Sequence, residues 1–94
     1  MKNSIVEENK LKMYKAILNL KNFEECEMFF SDLWTEAEKN TFAQRFVIAE
    51  MIHNGKKYEE IGEITGASPA IISRVKRCMR NYEKLNIFDG LEDD

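Results

Sequence analysis

With 94 residues, 44% of them hydrophobic, the chain makes one domain rather than two, spanning 1–94; a lone monomer of this size buries only about 60% of its unfolded surface and is marginally stable. Six Phe, three Tyr and one Trp are more apolar surface than so small a helical monomer can cover, which points to a homodimer. The opening MKNSIVEENK lacks the apolar run and cleavage site of a signal peptide, and no stretch nears the roughly 18 apolar residues of a membrane span, so a cytoplasmic protein without a membrane partner is expected.

In chain order, apolar residues recur at three- and four-residue spacing, the period of a helix, and nothing reads as strand–turn–strand. The expected fold is all-α, with about six helices. Ser4 and Glu7 form a capping-box pair opening the first helix, whose face is Leu11, Tyr14, Ile17 and Leu18. Asn22 and Glu25 repeat the signal ahead of Cys26, Phe29, Phe30 and Leu33. Thr35 and Glu38 form a third box, opening the longest helix, which runs to about Asn54 and stops at Gly55, suited to a left-handed turn. Its apolar residues, from Phe42 to Ile52, cover most of its circumference, so it must be buried on several sides. Residues 1–55 read as dimerisation and core helices, 56–82 as the segment described next, and 83–94 as a short helix near Lys84–Phe88 or an acidic, frayed tail.

The informative stretch is YEEIGEITGASPAIISRVKR, residues 58–77. A helix-turn-helix joins two short helices through a tight turn. Gly62 supplies the small residue where the helices cross, and Gly66 supplies the positive φ that the turn needs. Ser68 is a suitable N-cap, and Pro69 fits the first helical position, where its missing N–H costs nothing. Ile72 and Val75 pin the second helix back, with Ile61 and Ala67 completing a small core, and that helix is expected to continue to about Tyr82. Pro69, Ala70, Ser73, Arg74, Arg77 and Arg80 then face outward, as in helices whose N-terminal residues meet base edges in the major groove. Ala70 suits a thymine methyl, Ser73 either kind of contact, and Arg74 or Arg77 a bidentate grip on guanine. Lys76 and Arg80 suit phosphates, which position a protein without reading sequence. Residues 69–84 hold Arg74, Lys76, Arg77, Arg80 and Lys84 against Glu83, a basic island in a chain of net charge −3. Binding to double-stranded DNA depends on the charge facing the duplex, not on the sum.

GASPAIISRVKR is similar to the recognition helices of many bacterial repressors. The longer run from Thr35, TEAEKNTFAQRFVIAEMIHNGKKYEEIGEITGASPAIISR, resembles the tryptophan-repressor-like superfamily, and within it the YerC/YecD-type branch. With LKNFEECEMFFSDLWT before it, the resemblance covers most of residues 14–80. It implies an intertwined helical dimer, the N-terminal helices of both chains interlocked and two reading heads projecting outward. Such heads engage half-sites about 34–36 Å apart on a roughly palindromic operator, and a transcriptional regulator, more specifically a repressor, is the expected function. In the tryptophan repressor two arginines sandwich the bound amino acid, and the resemblance puts Arg45 and Arg74 at the matching positions of an effector pocket. Two departures matter. Val75 stands where the repressor has a glycine making room for the indole, so a small-molecule corepressor is not the favoured reading. Glu59 stands where the family presents a basic residue to the duplex, which leaves the DNA contacts to the second helix.

Other classes fit less well. His53, the one histidine, has no partner forming a triad and reads as a helix-end residue complementing the dipole. The glycines punctuate helices rather than cradle phosphates, so no enzyme and no cofactor are expected. Cys26 and Cys78 lie far apart without a CxxC spacing, which draws neither a metal site nor a disulfide. The alternative function is a helix-turn-helix module that docks another protein without binding DNA directly, a role that net acidity would suit.

Overall fold

A computed structural model describes residues 2–91. It contains five α-helices: α1 (Lys2–Leu18), α2 (Phe23–Leu33), α3 (Glu36–His53), α4 (Tyr58–Thr65) and α5 (Pro69–Cys78). A 3₁₀ turn at Tyr82–Lys84 follows. The all-α class is as expected, with five helices and one short turn in place of about six helices. The chain divides into two compact units, one ending at Lys39 and one beginning at Asn40, so the boundary falls inside α3.

In the first unit, local signals set the helix starts. Asn22 caps α2, its Oδ1 accepting from the Glu25 N–H at 2.8 Å. The Glu25 carboxylate reaches one residue further back than a standard box, accepting from the Lys21 N–H at 2.9 Å. Thr35 and Glu38 close a full reciprocal box before α3: Thr35 N–H to Glu38 Oε1 at 2.8 Å, and Glu38 N–H to Thr35 Oγ1 at 3.1 Å. The box expected at Ser4 does not form the start of α1, because the helix already includes Lys2 and Ser4 lies inside it. Toward the end of α2, the Phe29, Phe30 and Trp34 rings meet in series, edge-to-face and then tilted, with centroids 5.2 and 4.7 Å apart. No α2 side chain is fully buried. Ile5, Leu11, Leu18, Phe23, Met28 and Leu33 all stay more than half exposed in the single chain.

In the second unit the core is small and closed. Ile48 of α3, Ile61 of α4 and Ile72 of α5 are its three fully buried large side chains, joined by Ala49, Ala67, Val75 and Phe88. Met51, Ile52, Met79 and Tyr82 pack against it. Each fully buried isoleucine stabilises by about 1.5–3 kcal/mol relative to exposure, and each comes from a different helix, so the three helices are fixed together. α3 ends as expected, with Gly55 at φ +81°.

Two expectations near the end of the chain are corrected. α5 stops at Cys78, about one turn before Tyr82. There the backbone tightens, with Met79 N–H to Lys76 O and Lys84 N–H to Asn81 O at 3.2 and 3.0 Å, so that Met79 and Tyr82 turn onto the core; tertiary packing overrides helix propensity. The segment near Lys84–Phe88, read as a short helix, forms turns after Lys84 and sends Phe88 into that core. Its ring lies 5.3 Å from Phe46, 4.9 Å from His53 and 6.0 Å from Tyr82. Residues 92–94, the end of the acidic tail, lie outside the described residues.

The two helix-turn-helix glycines are not equivalent. Gly66 has φ +75°, a left-handed conformation that costs an L-residue roughly 1–2 kcal/mol. Gly62 has ordinary helical backbone, and a Cβ there would meet the Ala67 carbonyl oxygen at 3.4 Å and Ile72 Cδ1 at 3.9 Å. That is ordinary contact, so the close crossing accommodates alanine. In urea denaturation, Gly66→Ala is expected to lose about 1–2 kcal/mol, whereas Gly62→Ala should be neutral or gain up to about 1 kcal/mol from helix propensity. Equal losses for both would contradict this packing.

Candidate nucleic-acid interface

The turn between α4 and α5 is built from polar groups that answer one another. Gly66, left-handed, donates its N–H to Gly62 O at 2.9 Å and closes α4. The Thr65 hydroxyl donates to Ile61 O at 2.7 Å and accepts from the Ala67 N–H at 3.2 Å, so one side chain ties the last turn of α4 to the second residue after it. Gln44 of α3 donates from Nε2 to Thr65 O at 2.9 Å, satisfying a helix-end carbonyl that would otherwise lack a partner. Ser68 then caps α5, its Oγ accepting from the Ile71 N–H at 3.2 Å, and Pro69 occupies the first turn.

This frame turns the apolar side of α5 inward through Ile72 and Val75. Of the residues singled out from the sequence, Ser68, Pro69, Ala70, Arg74, Lys76 and Arg77 are exposed, while Ser73 is partly buried. Arg80 is exposed too, but it lies in the turn after α5 rather than on its face. Among the described residues, the side-chain ion pairs are Lys10–Glu7 and Lys39–Glu36, and neither involves the four basic side chains of this region. Exposed Ile71 adds apolar surface beside Ala70. On α4, by contrast, Glu59, Glu60 and Glu63 are all exposed.

Comparison with known proteins bears on what this arrangement is. The family model described as Trp repressor protein matches residues 8–86. The chain belongs to the Trp repressor protein family. Its similarity to the YerC protein of Bacillus subtilis (strain 168) is 50% identity over 70 residues, 74% of this chain and 66% of YerC. The match thus spans just under two thirds of that relative. Among solved structures, a TrpR-like protein from Eubacterium eligens ATCC 27750 superposes with a TM-score of 0.80 at 35% identity, covering 95% of this chain and 94% of the other. A candidate Trp repressor from Staphylococcus aureus gives 0.75 at 40% identity, covering 88% and 87%. The Trp repressor family is one of helix-turn-helix DNA-binding regulators rather than enzymes. Among the described residues no helix is long and apolar enough to cross a membrane.

Within that family frame, the two arginines of the expected effector pocket are both exposed, Arg45 on α3 and Arg74 on α5. The Arg45 guanidinium lies 6.0 Å from the centroid of the Phe42 ring, a contact within the range of a weak cation–π interaction. Two surface concavities, of about 470 and 370 Å³, are lined by residues of α3 and α4 and of α4 and α5 respectively; neither arginine lines them. Val75 is buried in the core. His53 is the last residue of α3, as read from the sequence, and its ring also packs on Phe88.

Gln44 and Thr65 are the positioning residues that sequence reasoning missed. Thr65 carried a faint signal, a hydroxyl residue directly before the turn glycine; Gln44 carried none, since its partner is 21 residues away. Thr65→Val keeps the shape but leaves the Ala67 N–H without its acceptor. The loss should be about 1–2 kcal/mol in thermal or urea unfolding. Unchanged stability would show that the hydroxyl does not hold the turn.

Proposed function

We infer that this chain is a sequence-specific regulator of transcription, a repressor, which binds double-stranded DNA as a homodimer and reads it with α5. The observation that carries this reading is the split character of one ten-residue helix: Ile72 and Val75 are locked in the core, while Arg74, Lys76 and Arg77 stand exposed and, among the described residues, in no ion pair. Arg74 and Arg77 suit guanine edges, Ala70 a thymine methyl and Ser73 either base or backbone, while Lys76 and Arg80 suit phosphates. Arg80, set in the turn beyond the helix, is the better placed for backbone contact. Ser68 and Pro69 fix the end of α5 that would enter the groove. The homodimer is supported by the exposed apolar side chains of α1 and α2, more than a soluble monomer ordinarily leaves open. Regulation without a corepressor is supported by Val75, whose side chain fills core space where an indole would need room.

In a mobility-shift titration against a selected duplex, Arg77→Ala should cost about 1–3 kcal/mol and relax preference at one base position. Lys76→Ala should weaken all duplexes about equally and flatten the salt dependence by about one unit of slope. Absence of binding to any duplex at low salt would favour the alternative, a module that docks another protein.

A further inference from the structure

Phosphate-binding surfaces are ordinarily positive, yet α4, packed directly against the proposed reading helix, carries three exposed carboxylates and no basic residue. Two of them share a face: Glu59 and Glu63 are separated by one helical turn. Both line a concavity of about 370 Å³ that Pro69, the first residue of α5, lines as well, together with Gly62, Ala67 and Ile72. Glu60, on the same helix, does not line it. Any duplex approached by the start of α5 is therefore approached by Glu59 and Glu63 as well. Lys56 and Lys57 precede α4, but no ion pair among the described residues ties either to these carboxylates. A structural explanation covers only part of the pattern. Glu59 sits in the first turn of α4, where a negative charge complements the helix dipole; Glu63 sits near the other end, where it does not.

We propose that Glu59 and Glu63 are an electrostatic brake on DNA binding: they repel the phosphate backbone beside the reading helix and hold down the sequence-independent part of the affinity. The inference rests on α5 being the DNA-reading element. Phosphate attraction supplies nearly all of non-specific binding, so a fixed repulsion beside α5 lowers occupancy of random DNA and leaves discrimination to the base-reading side chains. The repulsion acts on every sequence alike, which separates it from a base contact. A carboxylate can also accept from the cytosine amino group; that role would confine the effect to particular sequences.

The test compares the full-length wild type with Glu63→Gln, Glu59→Gln/Glu63→Gln and the control Glu60→Gln, each against a random duplex and a duplex selected with the wild type, across salt concentrations. Circular dichroism melting checks that the surface substitutions leave the fold intact. The double variant should bind both duplexes roughly tenfold more tightly, with the ratio between them unchanged and a steeper salt dependence. Glu63→Gln should give part of that gain, and Glu60→Gln less than about a twofold change on the same electrostatic grounds. The brake is refuted if the double variant binds like the wild type, if it loses affinity for the selected duplex alone, or if Glu60→Gln matches it. Wild type that binds DNA beside an unchanged double variant overturns only this inference. If neither protein binds at low salt, the DNA-binding function falls with it.

Discussion

Everything that α5 can do depends on three isoleucines. Ile48, Ile61 and Ile72 are each almost wholly removed from solvent, and each belongs to a different helix. Their mutual burial, at about 1.5–3 kcal/mol apiece, fixes the rotation of α5 about its own axis. Rotation matters more than position here, because a turn of α5 by a third of a circle would carry Arg74 or Arg77 into the core and bring Ile72 to the surface. The Thr65 hydroxyl and the Gln44 amide add direction to what is otherwise non-directional packing, by satisfying the polar groups that the tight turn exposes.

The same packing sorts charge. With Ile72 and Val75 committed inward, the basic side chains of α5 have only solvent or a partner to face, and among the described residues no carboxylate pairs with them. The adjacent α4 is acidic on its open side. A chain of net charge −3 thus presents a short basic strip next to an acidic one. Membership of the Trp repressor family gives such a strip the use proposed above, with the side chains that the core leaves free as the candidate contacts.

Much of this was legible in the sequence, because much of it is local. Capping residues at Asn22, Thr35 and Ser68 bond atoms three residues away, and the left-handed Gly66 is demanded by the turn that contains it. The register of Ile61, Ala67, Ile72 and Val75 follows from helical periodicity within 15 residues, and all four are buried. What was illegible is what depends on distant partners. Phe88 sits in a stretch that reads as one short helical turn before an acidic tail, and only its packing on Phe46, His53 and Tyr82 explains its burial. The early end of α5 has the same origin, and it moved Arg80 off the helix. Ser4 misled for the opposite reason: a capping pattern was present, but the helix had already begun. Gly62 was read as a small residue at a close crossing, and the crossing leaves room for a methyl group, so small rather than glycine is what it requires.

Amide hydrogen exchange with and without duplex DNA tests the central claim most directly, because it reports which backbone the duplex covers. Exchange should slow across residues 66–80, most strongly in the first turns of α5, while the amides around Ile48 are already protected and change little. A complex that forms but leaves residues 66–80 exchanging as in the free protein, with protection appearing elsewhere, would contradict the assignment of α5 as the reading helix.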